Sequence, residues 1–397
     1  MNRLRILYLD TPFENVSGGD KNRSRFLWWA LGECCETSLV LIGRDGASPK
    51  PLWNQFKPLA ILPPQPPPFP RPAAAPAFSP ASRKKFLQIV RDGKFDVIFC
   101  RFTVGWELLT EAARAFPAIT IVVDVDMVSS RLVALTWAAN PSFKKRWFLF
   151  EKWKLQFFER NLFRRPWLFL FTNSTELAGV RDQVAPQPAP GKFALLPNIM
   201  PPTRELHPAR QPVILFFGSL DSSANVDGFN FLVDEVLPLI EEDLKKQQVK
   251  IRIVGKNPPA AFAEKLRARH TGQVDLTGPV DSMETAIAEC LFVLLPLRIA
   301  SGTRTRILEA AALGRAVVTT TIGAEGLDLG DSVLIGDTAA DLAAHTRRLL
   351  AAPAEAAQLG RRLRERSVSL YDTAKVAADL AAAVKNFAAH PRKGAVR

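Results

Sequence analysis

Six consecutive residues, Ser301-Gly302-Thr303-Arg304-Thr305-Arg306, followed by Glu309, bring small side chains, two guanidinium groups and one carboxylate into a single stretch. At the start of a helix, the backbone N–H groups of Gly302, Thr303 and Arg304 would point at an anion such as phosphate, which the helix dipole also favours. Arg304 and Arg306 add positive charge. Glu309 lies three residues after Arg306 and so shares its helical face. Its two acceptor oxygens suit a pair of sugar hydroxyls.

Smaller candidates lie elsewhere. Ser17-Gly18-Gly19 at a helix start would let a ligand approach the backbone closely; a phosphate seat, another ligand contact and a plain turn all fit. Asp126 lies just past a strand that Asp124 closes, and either orients a ligand hydroxyl or serves as a helix cap or loop turn. Gly218 and Glu325, the latter in Ala324-Glu325-Gly326, sit at strand exits; for Glu325, a ligand contact and a tight turn are equal readings.

These positions require a particular framework. Leu291–Pro296 and Ala316–Thr319 read as buried strands, and between them Ser301 or Thr303 can cap a helix that Gly314 ends. The loop 297–303 then sits at the carboxyl end of a strand, where ligands bind in open α/β sheets. Further strands are expected at 4–9, 38–42, 95–100, 119–124, 193–196, 213–217, 250–254, 274–276 and 333–335, with helices between them, the first from about Asp20 to Leu31. Residues 49–80 turn rich in Pro, Ala and Phe and are expected to form a surface excursion, with a protein-binding polyproline segment as the alternative. From Pro141 to Arg165, Trp147, Phe150, Trp153 and Phe157 recur at helical spacing among Lys144, Lys145, Lys152, Arg160, Arg164 and Arg165. That pattern fits a helix packed on its domain with solvated charges, or an interfacial helix on anionic lipid.

Several of these segments, in this order, resemble family 4 retaining glycosyltransferases of the GT-B fold. The resemblance runs from G-S-L-D-S-S-A-N-V-D-G (218–228) through I-V-G (253–255) and T-G-P-V (277–280) to S-G-T-R-T-R-I-L-E-A and I-G-A-E-G-L (322–327). It implies two Rossmann-like domains facing a central cleft, with the last helix crossing back to the first domain. It also implies a UDP- or GDP-linked sugar donor, bound without metal or other cofactor. Glu309 would hold the nucleotide ribose, Ser301, Gly302, Thr303 and Gly218 would line the donor, and Glu325 would lie near the base. Gly18 and Gly19 would face the acceptor or phosphate side, and Asp124-Val-Asp126, though it looks like the D-x-D metal motif of other glycosyltransferases, is not read as one. Two departures stand out. The family's E-x7-E motif has Ser301 at its first glutamate, and the lysine and arginine common near 218–228 are missing. A diphosphate clamp must then come from Arg298, Arg304 or Arg306.

Size and composition set the remaining bounds. A chain of 397 residues exceeds one ordinary core, so a first domain over 1–203, a second over 204–370 and a returning helix with basic tail over 371–397 are expected. The net charge of +13 suits nucleic acid, an anionic membrane or phosphorylated substrates, but its even spread argues against nucleic acid. Cys34, Cys35, Cys100 and Cys290, in apolar surroundings without C-x-x-C spacing, read as reduced thiols of a cytoplasmic protein, and no apolar run is long enough to span a bilayer. The expected activity is transfer of a sugar with retention to a glycan, lipid-linked or small-molecule hydroxyl, in glycan or cell-envelope synthesis, with peripheral contact at the inner membrane face. The alternative is a non-catalytic nucleotide-binding or scaffold subunit.

Overall fold

The computed structural model describes residues 3–11, 18–43, 56–139, 147–184, 192–204, 207–269, 272–300, 302 and 304–389. The chain divides into two compact units. One is Met1–Trp137 with Ser142–Asn198 and Ala374–Arg397; the other is Ile199–Thr373 with Ala138–Pro141.

The first unit is built on a parallel sheet. Its elements are β1 (Arg5–Asp10), α1 (Gly18–Cys34), β2 (Glu36–Ile42), β3 (Ala60–Leu62), β4 (Pro64–Gln65), β5 (Ala77–Phe78), α2 (Pro80–Gly93), β6 (Val97–Arg101), α3 (Trp106–Ala115), β7 (Thr120–Val125), α4 (Ser129–Ala139), α5 (Trp147–Phe163), β8 (Leu168–Phe171), α6 (Ser174–Val184) and β9 (Phe193–Leu195). The main sheet has the order β3-β2-β1-β6-β7-β8-β9, and β4 and β5 form a separate antiparallel pair. β6, β7 and β8 are buried along their whole length, as the strands of a parallel sheet are when helices cover both faces.

Three expectations change here. Gly18 and Gly19 lie inside the first turn of α1, which opens two residues before the Asp20 expected for it. The Pro-rich segment is more than an excursion: Ala60–Leu62 pairs in register with Val40–Ile42 and extends the sheet, and Ser79 caps α2 by accepting the Ser82 N–H at 3.1 Å. The unit boundary falls at Asn198, ahead of 203.

The second unit contains β10 (Val213–Phe217), α7 (Ser223–Phe231), α8 (Leu237–Lys246), β11 (Lys250–Val254), α9 (Ala260–Ala268), β12 (Val274–Gly278), α10 (Met283–Glu289), β13 (Phe292–Leu295), α11 (Thr305–Ala312), β14 (Val317–Thr319), α12 (Thr321–Ala324), β15 (Leu334–Ile335), α13 (Ala339–Ala351) and α14 (Pro353–Tyr371). A π-helical turn, Leu232–Val236, joins α7 to α8. The sheet order is β12-β11-β10-β13-β14-β15, with every adjacent pair parallel. Numbered within the unit this is 3-2-1-4-5-6, whose reversal between β10 and β13 opens a crevice at the carboxyl ends. Tyr371 pins the unit's entry and exit: its carbonyl accepts the Met200 N–H at 2.9 Å and its hydroxyl accepts the Asp328 N–H at 2.7 Å. The last helix, α15 (Thr373–Ala389), belongs from Ala374 to the first unit and buries Val376, Leu380 and Val384, spaced four apart.

Candidate active site

The loop after β13 and the helix α11 hold most of the predicted residues, but they begin differently from the expectation. α11 starts at Thr305, with Arg304 as N-cap and no side-chain cap bond. Ser301 and Thr303 lie outside the described residues. Gly302 is buried at φ +75°, a left-handed conformation that glycine adopts at little cost. Gly314, at φ +62°, follows the last turn and donates to the Ala311 carbonyl at 2.9 Å, ending the helix as its sequence indicated. Ile307, Leu308 and Ala310–Ala312 bury the other face of α11. The amphipathic pattern therefore turns Arg306 and Glu309 away from the core.

Of the three arginines that could grip a diphosphate, two are each held by two or more protein acceptors. Arg298 donates to both Asp227 oxygens at 3.1 and 2.8 Å and to Glu235 at 3.3 Å, and lies 4.5 Å from the Phe231 ring centroid. Arg304 is buried and donates to the Ile322 carbonyl at 3.1 Å and the Gly302 carbonyl at 2.5 Å. Both side chains therefore fasten the loop rather than reach out of it. Thr320 adds a third tie by donating to the Leu297 carbonyl. These bonds give Arg304 a part in shaping the loop, beside the clamp role expected of it.

Arg306 differs. Its Nη1 donates to the Phe217 carbonyl at 2.6 Å, at the end of β10, and among the described residues its remaining N–H groups have no protein acceptor. Burial lowers its pKa to about 10, with Glu309 opposing that shift. Gly218, at φ +151°, is where this guanidinium passes: a Cβ there would lie 2.8 Å from Arg306 Nη1 and 2.7 Å from Asn225 Nδ2. Gly218 is thus required by both its conformation and its neighbours. Asn225 donates to the Ser219 carbonyl at 2.6 Å, while its Oδ1 is buried and without a partner among the described residues. No local pattern singles out Asn225 although it stands in the 218–228 segment; only the fold brings it to Gly218.

Glu309 follows Arg306 by nearly one turn and is partly exposed. Among the described residues it has neither a hydrogen bond nor an ion pair. Burial raises its pKa, and Arg306 pulls it back down. A carboxylate that is desolvated yet unpartnered carries a cost that a ligand's hydroxyl donors would remove. Glu325 is the C-cap of α12 at the neighbouring exit of β14.

In the first unit, Asp124 is fully buried between two guanidinium groups. Arg23 from α1 donates to it through Nε at 3.0 Å and through Nη2, and Arg101 at the end of β6 donates through Nη1. Burial would raise the Asp124 pKa, but Arg23 and Arg101 hold it below the ordinary value. Arg23 also donates to the Asn198 side chain at 2.9 Å and to the carbonyls of Leu196 and Pro197 at 3.1 and 3.2 Å, fixing the end of this unit. Asp126 is buried as well, with its carboxylate 3.8 Å from Arg101. Neither arginine was singled out in the sequence; each is separated from Asp124 by a whole element or more.

Residues 211–352 match the family model of glycosyl transferases group 1. No curated protein matches the chain in sequence. Solved structures resemble it over nearly its whole length. Anabaena HepE in complex with UDP and glucose is 12% identical, with a TM-score of 0.69 over 96% of this chain and 99% of that one. The lipopolysaccharide outer core galactosyltransferase WaaB, in its apo form, is 13% identical, with a TM-score of 0.59 over 96% and 99%. TarM is 13% identical, with a TM-score of 0.59 over 76% of this chain but 58% of that one, so the chain spans less than two thirds of TarM. The fold is GT-B, made of two Rossmann-like units.

Proposed function

We propose that this chain is a glycosyltransferase that moves a sugar from a UDP- or GDP-linked donor to a hydroxyl acceptor with retention of anomeric configuration. The observation that carries the reading is Glu309, a half-buried carboxylate with no hydrogen bond or ion pair among the described residues, three residues beyond Arg306, whose guanidinium reaches the end of β10. The family match over the same unit supports it. In this reading Glu309 accepts the ribose hydroxyls and Arg306 donates to the diphosphate. As the bond from the anomeric carbon to the phosphate oxygen breaks, charge grows on that oxygen, and a fixed guanidinium stabilises it more in the transition state than before. The departing phosphate oxygen takes the acceptor's proton on the same face while the new carbon–oxygen bond forms. Configuration is then retained without an enzymic nucleophile, and no metal or other cofactor is called for. The acceptor would be a glycan, a lipid-linked glycan or a small molecule.

One feature favours a second reading. Ser301 stands where the first glutamate of the resembling motif would touch the transferred sugar. A chain that binds the nucleotide but does not turn it over would fit that substitution. A thermal-shift panel of UDP, GDP and their sugars, followed by donor turnover with mixed acceptors, separates the two. Stabilisation with turnover is expected; stabilisation alone selects the second reading, and no stabilisation by either nucleotide defeats both.

A further inference from the structure

Helix α5 is inverted with respect to an ordinary amphipathic helix. Its buried side carries two carboxylates along with Leu155, Leu162 and Phe163. Glu151 accepts the Ala73 N–H at 2.9 Å and pairs with Lys154 at 2.5 Å; Glu159 accepts the Ser130 N–H at 3.1 Å. Its outer side carries Trp147, Phe150, Trp153 and Phe157, which are 59, 47, 59 and 65% exposed. These four fall at intervals of three, three and four residues, forming one stripe. Along it the Phe150, Trp153 and Phe157 rings follow one another at centroid distances of 6.1 and 6.3 Å, with planes within 23° of parallel. A helix that only packs on its domain would place these rings inward and its acids outward.

The charge left outside has one sign. Both acids of the helix are buried and bonded, whereas Arg160 and Arg164 are exposed and Lys152 is partly so. Phe69, 82% exposed, lies two residues from Arg71, whose carbonyl accepts from Lys154 at 3.5 Å. Exposed aromatic rings beside cations, with no acid left outside on the helix, match the headgroup layer of a negatively charged bilayer. Among the described residues no helix is long and apolar enough to cross a membrane, so any such contact lies on the surface.

We propose that the outer face of α5 rests on an anionic lipid bilayer, with Trp153 and Phe157 at the boundary of headgroups and acyl chains and Arg160 and Arg164 on lipid phosphates. The contact is independent of turnover and of the donor site. Flotation of the full chain with phosphatidylcholine vesicles, with and without phosphatidylglycerol, tests it. The chain is expected to float with the anionic vesicles only, and brominated lipid should quench its tryptophan fluorescence. The pair Trp153→Ser with Phe157→Ser, and the pair Arg160→Glu with Arg164→Glu, should each lower the bound fraction about tenfold or more. Far-UV circular dichroism should be unchanged, since all four side chains are exposed. Absence of flotation, equal flotation without phosphatidylglycerol, or flotation that neither pair alters would overturn the proposal. So would a dimer that the aromatic pair converts to monomer, which would assign the face to a second copy of the chain.

Discussion

Counted along their own strands, both sheets run 3-2-1-4-5-6, the first with a seventh strand added, yet they treat their carboxyl edges in opposite ways. In the first unit, the edge at β6 and β7 is closed by ion pairs: Asp124 is held by Arg23 and Arg101, and Asp126 lies beside the same Arg101. In the second, the edge at β10 and β13 keeps its ion pairs one step back. Arg298 and Arg304 secure the loop, and Arg306 and Glu309 remain with unused donors and acceptors. Buried charges that neutralise one another make a scaffold, even where donors such as Arg101 Nε and Nη2 have no hydrogen-bond acceptor among the described residues. Desolvated charges left unsatisfied make a place for a ligand, because only an added partner can repay their lost hydration.

The largest expected effect tests the closed edge. Asp124→Ala would take from Arg23 its carboxylate partner and leave Arg101 only Asp126, 3.8 Å away, and breaking such a buried cluster typically costs about 3–5 kcal/mol of stability. Urea unfolding should show that loss, while nucleotide affinity of the protein that remains folded should hardly change. A stable variant with weakened nucleotide binding would mean the closed edge is part of the ligand site after all.

The open edge should respond the other way. Arg306→Ala is expected to lower turnover by about 100-fold or more, the range seen when one donor to a developing oxyanion is removed. Its stability should fall much less, since among the described residues Arg306 has one protein acceptor, the Phe217 carbonyl. Glu309→Ala should weaken nucleoside diphosphate binding by about ten- to 100-fold, as charged hydrogen bonds are lost, and should leave unfolding nearly unchanged. Calorimetric titration with UDP and GDP measures the first effect; unaltered affinity for both would remove the ribose role.

Much of this arrangement could be read from the chain before the fold was known. The apolar runs at 213–217 and 291–295 gave the strands, Gly314 gave the helix end, and the three-residue spacing of Arg306 and Glu309 gave their common face. What could not be read was which cations were already engaged. Arg298 is paired with Asp227, 71 residues away, and Arg23 with Asp124, 101 residues away. Local pattern fixes an element's faces, but such pairings depend on how strands are ordered, which no spacing encodes. The same limit applies to α5: helical periodicity located its aromatic stripe but not its direction. The direction was decided by Ala73 and Ser130, whose backbone N–H groups needed acceptors and took Glu151 and Glu159 inward.

Glu159 offers the smallest and most specific test of the difference between a satisfied and an unsatisfied carboxylate. Burial lifts its pKa from 4.5 to about 7, even though Ser130 opposes the shift by donating to it. Oε2 is buried and has no partner among the described residues. Between those two pH values the folded chain keeps a proton that the unfolded chain has released, so stability falls as pH rises through that interval and levels off above it. Fully developed, the loss is on the order of 3 kcal/mol. Glu159→Gln keeps an oxygen for the Ser130 N–H and cannot ionise. It should therefore unfold at nearly the wild-type urea midpoint near pH 4.5 and at a higher one near pH 8. If the two proteins show the same pH dependence, Glu159 is ionised in the folded state, and the inward side of α5 holds a charge that some further donor must satisfy.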